Sequence, residues 1–183
     1  RRDMQRLTGP DRLWPGKAFF IAKRDEQIAR HAKHNNTEYN LEPDLKNAPG
    51  GLRDIQTIGW VAKRHFGADT LRDLVAHGFI TAAEFGEHDD CPCVHWRLRL
   101  ALLIVSGRSD TRVLFDYQRR MAELFGYSDS HANRGVERLM QDYYRAAMRI
   151  SMLNEMLLRY FDEAILGEDE NAPVVALNNR FQI

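Results

Sequence analysis

The stretch Val136-Glu-Arg-Leu-Met-Gln-Asp-Tyr-Tyr-Arg-Ala-Ala-Met-Arg-Ile-Ser-Met-Leu-Asn-Glu-Met-Leu-Leu-Arg-Tyr-Phe-Asp-Glu-Ala164 carries the strongest periodic signal in the chain. Within it, Val136, Leu139, Tyr143, Ala146, Ile150, Leu153, Leu157, Tyr160 and Ala164 recur in steps of three and four residues. That spacing keeps one apolar stripe on one side of a helix. It predicts a helix of about 30 residues, about 45 Å long at about 1.5 Å per residue, lying along other helices. A stripe of this length must be covered, so the expected fold is mainly α, an antiparallel helical bundle.

Moving upstream, Leu114, Tyr117, Met121 and Leu124 define a short helix closed by Gly126, and Arg108–Ser109–Asp110–Thr111 reads as the loop before it. Trp96, Leu100, Leu103 and Ile104 mark the apolar face of a helix started by Thr81-Ala82-Ala83-Glu84, with Pro92 expected to kink or break it. Thr70-Leu71-Arg72-Asp73 caps another helix, and Gly78 separates the two. Leu52, Ile55, Gly59, Ala62 and Phe66 form a further helical face, stopped by Gly67. A first helix starts near Pro15, with Ala18, Ile21, Ile28 and Ala32 on one side.

One segment breaks the helical pattern. After Asn35–Asn36, the run Tyr39 to Lys46 alternates, with Leu41, Pro43 and Leu45 on one side and Asn40, Glu42, Asp44 and Lys46 on the other. It predicts a short edge strand, limited by Pro43, whose neighbours belong to a sheet outside this chain. The turn Asn47-Ala48-Pro49-Gly50-Gly51 follows. The expected organisation is residues 1–50 as the end of one domain, 51–166 as a helical bundle, and 167–183 as a linker or extended return segment.

Composition narrows the function classes. Twenty-six basic residues balance twenty-six acidic ones across 183 residues, so no global basic field exists to hold a long nucleic acid. Hydrophobic residues at 44% and charged residues at 28% support a packed core over disorder. No apolar run approaches the roughly 18–20 residues of a membrane span, and Arg1 to Arg12 do not read as a secretory signal. Cys91 and Cys93, one residue apart, do not make a disulfide framework. The expectation is a cytoplasmic protein with no membrane or nucleic-acid partner. The chain opens on Arg1 and closes on Phe181-Gln182-Ile183, and is expected to be a piece of something longer.

The densest chemical candidate is Tyr39-Asn-Leu-Glu-Pro-Asp-Leu-Lys-Asn-Ala-Pro-Gly-Gly-Leu-Arg-Asp-Ile-Gln56. Asp44 stands between Pro43 and Leu45, with Glu42 on the same face and Lys46 to offset its charge. Phosphoryl or nucleotidyl transfer needs carboxylates for magnesium, which prefers oxygen ligands. Gly50–Gly51 ahead of a helix would let phosphates approach backbone N–H groups, with Arg53 and Asp54 in the first turn facing the same region. The alternative is a soluble edge strand followed by an ordinary Gly-Gly turn. Arg108 and Arg112 suit nucleotide phosphates, or equally a cluster of ion pairs, together with Asp116 and Gln118.

These motifs resemble the bacterial PII-uridylyltransferase/uridylyl-removing enzymes and, more distantly, the glutamine synthetase adenylyltransferases. The resemblance rests on Asn40-Leu-Glu-Pro-Asp-Leu-Lys46, Pro49-Gly-Gly-Leu-Arg-Asp-Ile-Gln56 and Trp60-Val-Ala-Lys-Arg-His-Phe-Gly67. It continues through Gly107-Arg108, Arg112-Val-Leu-Phe-Asp-Tyr-Gln118, Leu153-Asn-Glu-Met-Leu-Leu158, Phe161-Asp-Glu-Ala-Ile-Leu166 and Asn179-Arg-Phe-Gln182. It implies that the strand is left over from a polymerase-β-like nucleotidyltransferase sheet and that the bundle is the following helical domain. It further implies Asp44 as the third metal-holding carboxylate, with Asp54 as second choice, and Gly50, Gly51, Arg53, Arg108 and Arg112 as phosphate-handling residues.

The reaction implied is transfer of UMP from UTP to a tyrosine of the PII signal protein, with magnesium as cofactor, hydrolytic removal of UMP, and glutamine sensing by domains outside this chain. The Asp-x-Asp pair of such a site is absent here, so the isolated chain is expected to be inactive. The family's acidic pair after Gly-Arg is replaced by Ser109, Asp110 and Thr111. A fragment of a glutamine synthetase adenylyltransferase is the alternative, though Gln56 favours uridylyl transfer. A non-catalytic helical interaction module is another. His88–Asp89 spells the metal pair of HD phosphohydrolases, and His88, Cys91, Cys93 and His95 resemble a zinc cluster. Their spacing and Pro92 favour core or surface roles. His31 and His34, one helical turn apart, read as a solvated face.

Overall fold

The seam near the end of the chain forms one unbroken helix. A computed structural model describes residues 14–70, 72–83, 90–129 and 134–167, with the backbone of 176–178 and 181–182. Among the described residues the helices are α1 (Gly16–Ala32), α2 (Leu52–Phe66), α3 (Asp73–Ala76), α4 (Asp90–Ser106), α5 (Phe115–Leu124) and α6 (Gly135–Leu166). The short strands β1 (Ala176–Asn178) and β2 (Phe181–Gln182) pair antiparallel. The chain is mainly helical, as the periodicity predicts. None of the described helices is long and apolar enough to cross a membrane.

The 32 residues of α6 run for about 48 Å and serve two cores. Its start is tied down: the Arg134 N–H donates to Glu137 Oε2 at 3.0 Å and the Gly135 N–H to Asp129 Oδ1 at 2.8 Å. Those bonds satisfy donors that a helix start leaves orphaned. The first half of α6 packs Leu139 and Tyr143 against Leu98 and Leu102 of α4, Met121 of α5 and Leu45. The second half packs Leu157, Phe161 and Ile165 against Phe20 of α1 and Ile58 and Val61 of α2. Each fully buried Leu, Ile or Phe contributes about 1.5–3 kcal/mol, so the two clusters dominate the stability. Residues on both sides of the Gly50–Gly51 turn share these cores, Phe20 and Leu45 before it and Ile58 and Val61 after it.

The stripe on α6 drifts. Leu139, Tyr143, Ala146 and Ile150 are buried where expected, but from Asn154 onward the inward residues include Phe161 and Ile165. Tyr160 is 42% exposed. A straight helix repeats every 3.6 residues, so a 3.5-residue seam slides by about 20° per heptad and the buried face moves on by one position.

Three other expectations are corrected. Tyr39 to Lys46 is no strand: only Asp44 pairs, in an isolated antiparallel bridge with Arg112. Leu45 N–H donates to Thr111 O and Val113 N–H to Pro43 O, both at 2.9 Å. Pro43 has no N–H to offer a ladder, and the Asp44 side chain takes the N–H groups of Lys46 and Asn47, curling the chain into a turn. The packing face of α4 is His95, Leu98, Ala101, Leu102 and Val105, while Trp96, Leu100, Leu103 and Ile104 are exposed. Pro92 lies in the first turn of α4, where its missing N–H costs no helical bond; the preceding 84–89 lie outside the described residues. On α1 the buried residues are Phe20, Gln27 and Arg30, and Ile28 faces solvent.

Candidate functional site

The elbow from Glu42 to Asp54 is built around Asp44. Its Oδ1 accepts the N–H groups of Lys46 and Asn47, both at 2.9 Å. Its Oδ2 accepts the Asn47 side-chain amide at 2.9 Å and the Thr111 hydroxyl at 3.0 Å. Burial pushes the Asp44 carboxyl up, but these bonds outweigh it and hold the group below the ordinary carboxylate range. Asp44 is thus an ionised clasp between its own turn and the 108–112 loop.

The following turn closes the start of α2. Gly51 N–H donates to Ala48 O at 2.9 Å, Leu52 N–H to Leu45 O at 3.0 Å and Arg53 N–H to Lys46 O at 2.9 Å. Gly50 N–H donates to Asp54 Oδ2 at 2.8 Å. Donors that a phosphate would need are therefore already occupied by the chain itself. Both glycines are buried. Gly50 has φ +71°, and a Cβ there would stand 2.1 Å from the Ala147 carbonyl oxygen, so its role is close approach of the elbow to α6.

Asp54 is fully buried and equally committed. Arg30 Nη2 donates to its Oδ1 at 2.8 Å, and His31 Nε2 lies 2.9 and 3.1 Å from its two oxygens. Arg30 also donates to Asn47 O at 2.9 Å, linking α1 to the same turn. Beneath it, Asn154 of α6 exchanges amide bonds with Gln27 and donates to the Asp54 carbonyl at 3.3 Å.

The two loop arginines are different. Arg108 pairs with Asp110 at 3.1 Å and Arg112 with Glu42 at 3.7 Å, and their side chains are 65% and 59% exposed. Asp110 accepts the N–H groups of Arg112 and Thr111; these bonds and the Arg108 charge hold its carboxyl low against the opposing effect of desolvation. Arg53 lies over the Trp60 ring at 5.6 Å, which Lys23 also approaches at 4.8 Å. Gln118 is buried and donates to Leu41 O and Val113 O. Asp116 is exposed on α5.

A family model described as GlnD PII-uridylyltransferase matches residues 18–158, which hold the whole elbow, the 108–112 loop and most of α6. The chain belongs to this family. Among curated relatives, the bifunctional uridylyltransferase/uridylyl-removing enzyme of Stutzerimonas stutzeri (strain A1501) is 50% identical over all 183 residues. Those of Ectopseudomonas mendocina (strain ymp) and Methylococcus capsulatus (strain Bath) are 48% identical over 183 residues and 49% over 175, or 96% of the chain. The chain spans 20% of the length of these relatives. No solved structure matches it.

Within this uridylyltransferase family member, the elbow's chemistry does not fit a magnesium site. Magnesium demands about six oxygen ligands in a tight octahedron. Both oxygens of Asp44 are spent on four donors, and among the described residues no group of three or more His, Cys, Asp or Glu side chains converges. The same holds for the zinc-like spacing: Cys93 is exposed whereas His95 is buried against Tyr143, with ring centroids 5.5 Å apart. His88 and Asp89 lie outside the described residues. The structure does bring Asp44 and Asp54 to one elbow, and it joins Asp44 to the loop of Arg108 and Arg112. Arg30, His31, Asn47 and Thr111 carry that arrangement without any local sequence signal. His31 is a partner of a buried carboxylate, not part of a solvated face.

Proposed function

We propose that this chain is the helical portion of a bifunctional enzyme that moves UMP from UTP to a tyrosine of the PII signal protein and removes it again by hydrolysis. The observation that carries this reading is identity at about half the positions over all 183 residues with enzymes of that name. In this reading the elbow is a positioning element. Asp44 and Asp54, each saturated with hydrogen bonds, fix the Gly50–Gly51 turn on α6 and hold the 108–112 loop in register.

Arg108 and Arg112 are the residues proposed to meet phosphate. Each guanidinium is exposed and pairs with one half-buried carboxylate, and pairs with an exposed partner are worth only about 0–1 kcal/mol, so exchange for a phosphate costs little. The guanidinium fork suits phosphate oxygens. The bond-making groups, the magnesium they require, the hydrolytic site and the glutamine sensor belong to the rest of the enzyme, whose proposed compartment is the cytoplasm. The 183-residue chain alone is expected to transfer no UMP.

The test is kinetic. In the complete enzyme, replacing both Arg108 and Arg112 by Ala should raise KM for UTP about tenfold. The melting temperature should stay unchanged. An unaltered KM removes the assigned role from the loop, and UMP transfer to PII by the 183-residue chain alone overturns its expected inactivity.

A further inference from the structure

A second site lies apart from the elbow. Between α4, the end of α5 and α6 is a cavity of about 380 Å³, lined by no residue of the elbow or of the 108–112 loop. This volume falls in the range of about 300–1,000 Å³ that small-molecule sites occupy. Its wall has two chemistries. Leu98, Leu139 and Ala146 are buried and apolar, and Phe125 adds an aromatic ring. Arg97 from α4, with Arg145 and Arg149 one turn apart on α6, supplies three guanidinium groups.

One carboxylate opposes them. Asp142 accepts the Tyr127 hydroxyl on Oδ2 at 2.6 Å and pairs with Arg145 through Oδ1 at 3.6 Å. Arg97 rests over the Phe125 ring at 5.3 Å, so its charge is already held beside the apolar surface. Among the described residues Arg97 and Arg149 have no carboxylate at ion-pair distance. The wall therefore carries an excess of two positive charges in a chain whose formal net charge is zero. The three arginines are exposed at the cavity's edge, and guanidinium groups beside an apolar floor are complementary to an anion with an apolar body.

We infer that this cavity binds a small ring-bearing phosphate, with the dianion held by Arg97, Arg145 and Arg149 and the ring laid on Leu98 and Phe125. Two surplus charges match a phosphate dianion better than a single carboxylate, and guanidinium forks match its oxygens. The volume suits a mononucleotide-sized molecule, not a folded partner. The site is independent of the transferase reading and does not fail with it.

The 183-residue chain is titrated calorimetrically with UMP, phenyl phosphate, uridine and inorganic phosphate. Saturable binding of either ring phosphate, about tenfold or more tighter than uridine or phosphate alone, is expected. Arg97→Glu and Arg149→Glu should each weaken it about tenfold or more, while Arg159→Glu, an exposed arginine of α6 outside the cavity, should leave it unchanged. Melting curves confirm that each variant remains folded. No saturation up to about 10 mM overturns the proposal. So does equal binding of inorganic phosphate or uridine, or an equal loss in Arg159→Glu, which would signal diffuse surface attraction.

Discussion

Arg30 places its guanidinium 2.8 Å from the Asp54 carboxylate, and that carboxylate has no exposure to solvent. The pair joins the last turn of α1 to the first turn of α2, with the Gly50 N–H and His31 completing the shell around Asp54. A family motif that reads as phosphate chemistry is thereby turned into a joint between helices.

Replacing Asp54 by Ala leaves the buried Arg30 with the half-exposed Glu26 as its one remaining carboxylate partner among the described residues, and frees the Gly50 N–H. Breaking such a pair costs about 3–5 kcal/mol. Asp54→Asn, which keeps an acceptor for Arg30, should lose less. Urea unfolding of both variants measures the difference; a loss under about 1 kcal/mol for Asp54→Ala would show that the clasp does not hold the elbow.

Gly50→Ala and Gly67→Ala form a matched comparison. Both glycines have positive φ, +71° and +66°. A Cβ at Gly50 meets the Ala147 backbone, whereas one at Gly67 meets nothing within 4 Å. Gly67→Ala should cost only the left-handed strain of about 1–2 kcal/mol. Gly50→Ala must also push the elbow off α6, and its melting temperature should fall well below that of Gly67→Ala. Equal losses would mean that backbone conformation alone accounts for Gly50.

Asp44 should make the fold acid-sensitive. Its carboxyl titrates below the ordinary aspartate value of 3.8, so near that pH the folded chain binds fewer protons than the unfolded one. Its stabilising contribution is complete above the unfolded pKa, about 3.9, and disappears as pH falls through the lower folded value. Asp44→Asn should flatten the decline of melting temperature below about pH 4, leaving the residual slope from carboxylates such as Asp73 and Asp110, whose shifts run the same way. Thr111→Val, which removes one of the four donors, should flatten it in part. An acid limb identical in wild type and Asp44→Asn would exclude Asp44 as its source.

Helix faces followed the local pattern in the first half of α6, through Leu139, Tyr143, Ala146 and Ile150, and at Leu52 and Ala62 of α2, but only in part on α5, where Met121 is buried and Leu124 is exposed. They followed it poorly on α4, where Trp96, Leu100, Leu103 and Ile104 compete with Leu98, Ala101, Leu102 and Val105 for the inner side. A helix that is apolar around its circumference has periodicity but no phase, so neighbours choose the face. Asp44, Asp54, Gly50 and Gly51 stood out as a dense motif, and they do share one site. The partners that take up their hydrogen-bonding capacity lie far along the chain, beyond the reach of any local pattern: Arg30 is 24 residues from Asp54, Thr111 is 67 from Asp44, and Asn154 is 100 from the Asp54 carbonyl.

Spacing of apolar residues, glycine stops and the Glu-Pro-Asp to Gly-Gly-Leu-Arg-Asp run were enough to establish a helical chain and its family. Those features depend on neighbours a few residues apart, where covalent geometry dictates who can meet whom. Whether a carboxylate is open to a metal ion or sealed as a joint depends on distant donors that packing brings to it. Folding around α6 made Asp44 and Asp54 structural and left Arg108 and Arg112 facing solvent, a division that no local pattern contains.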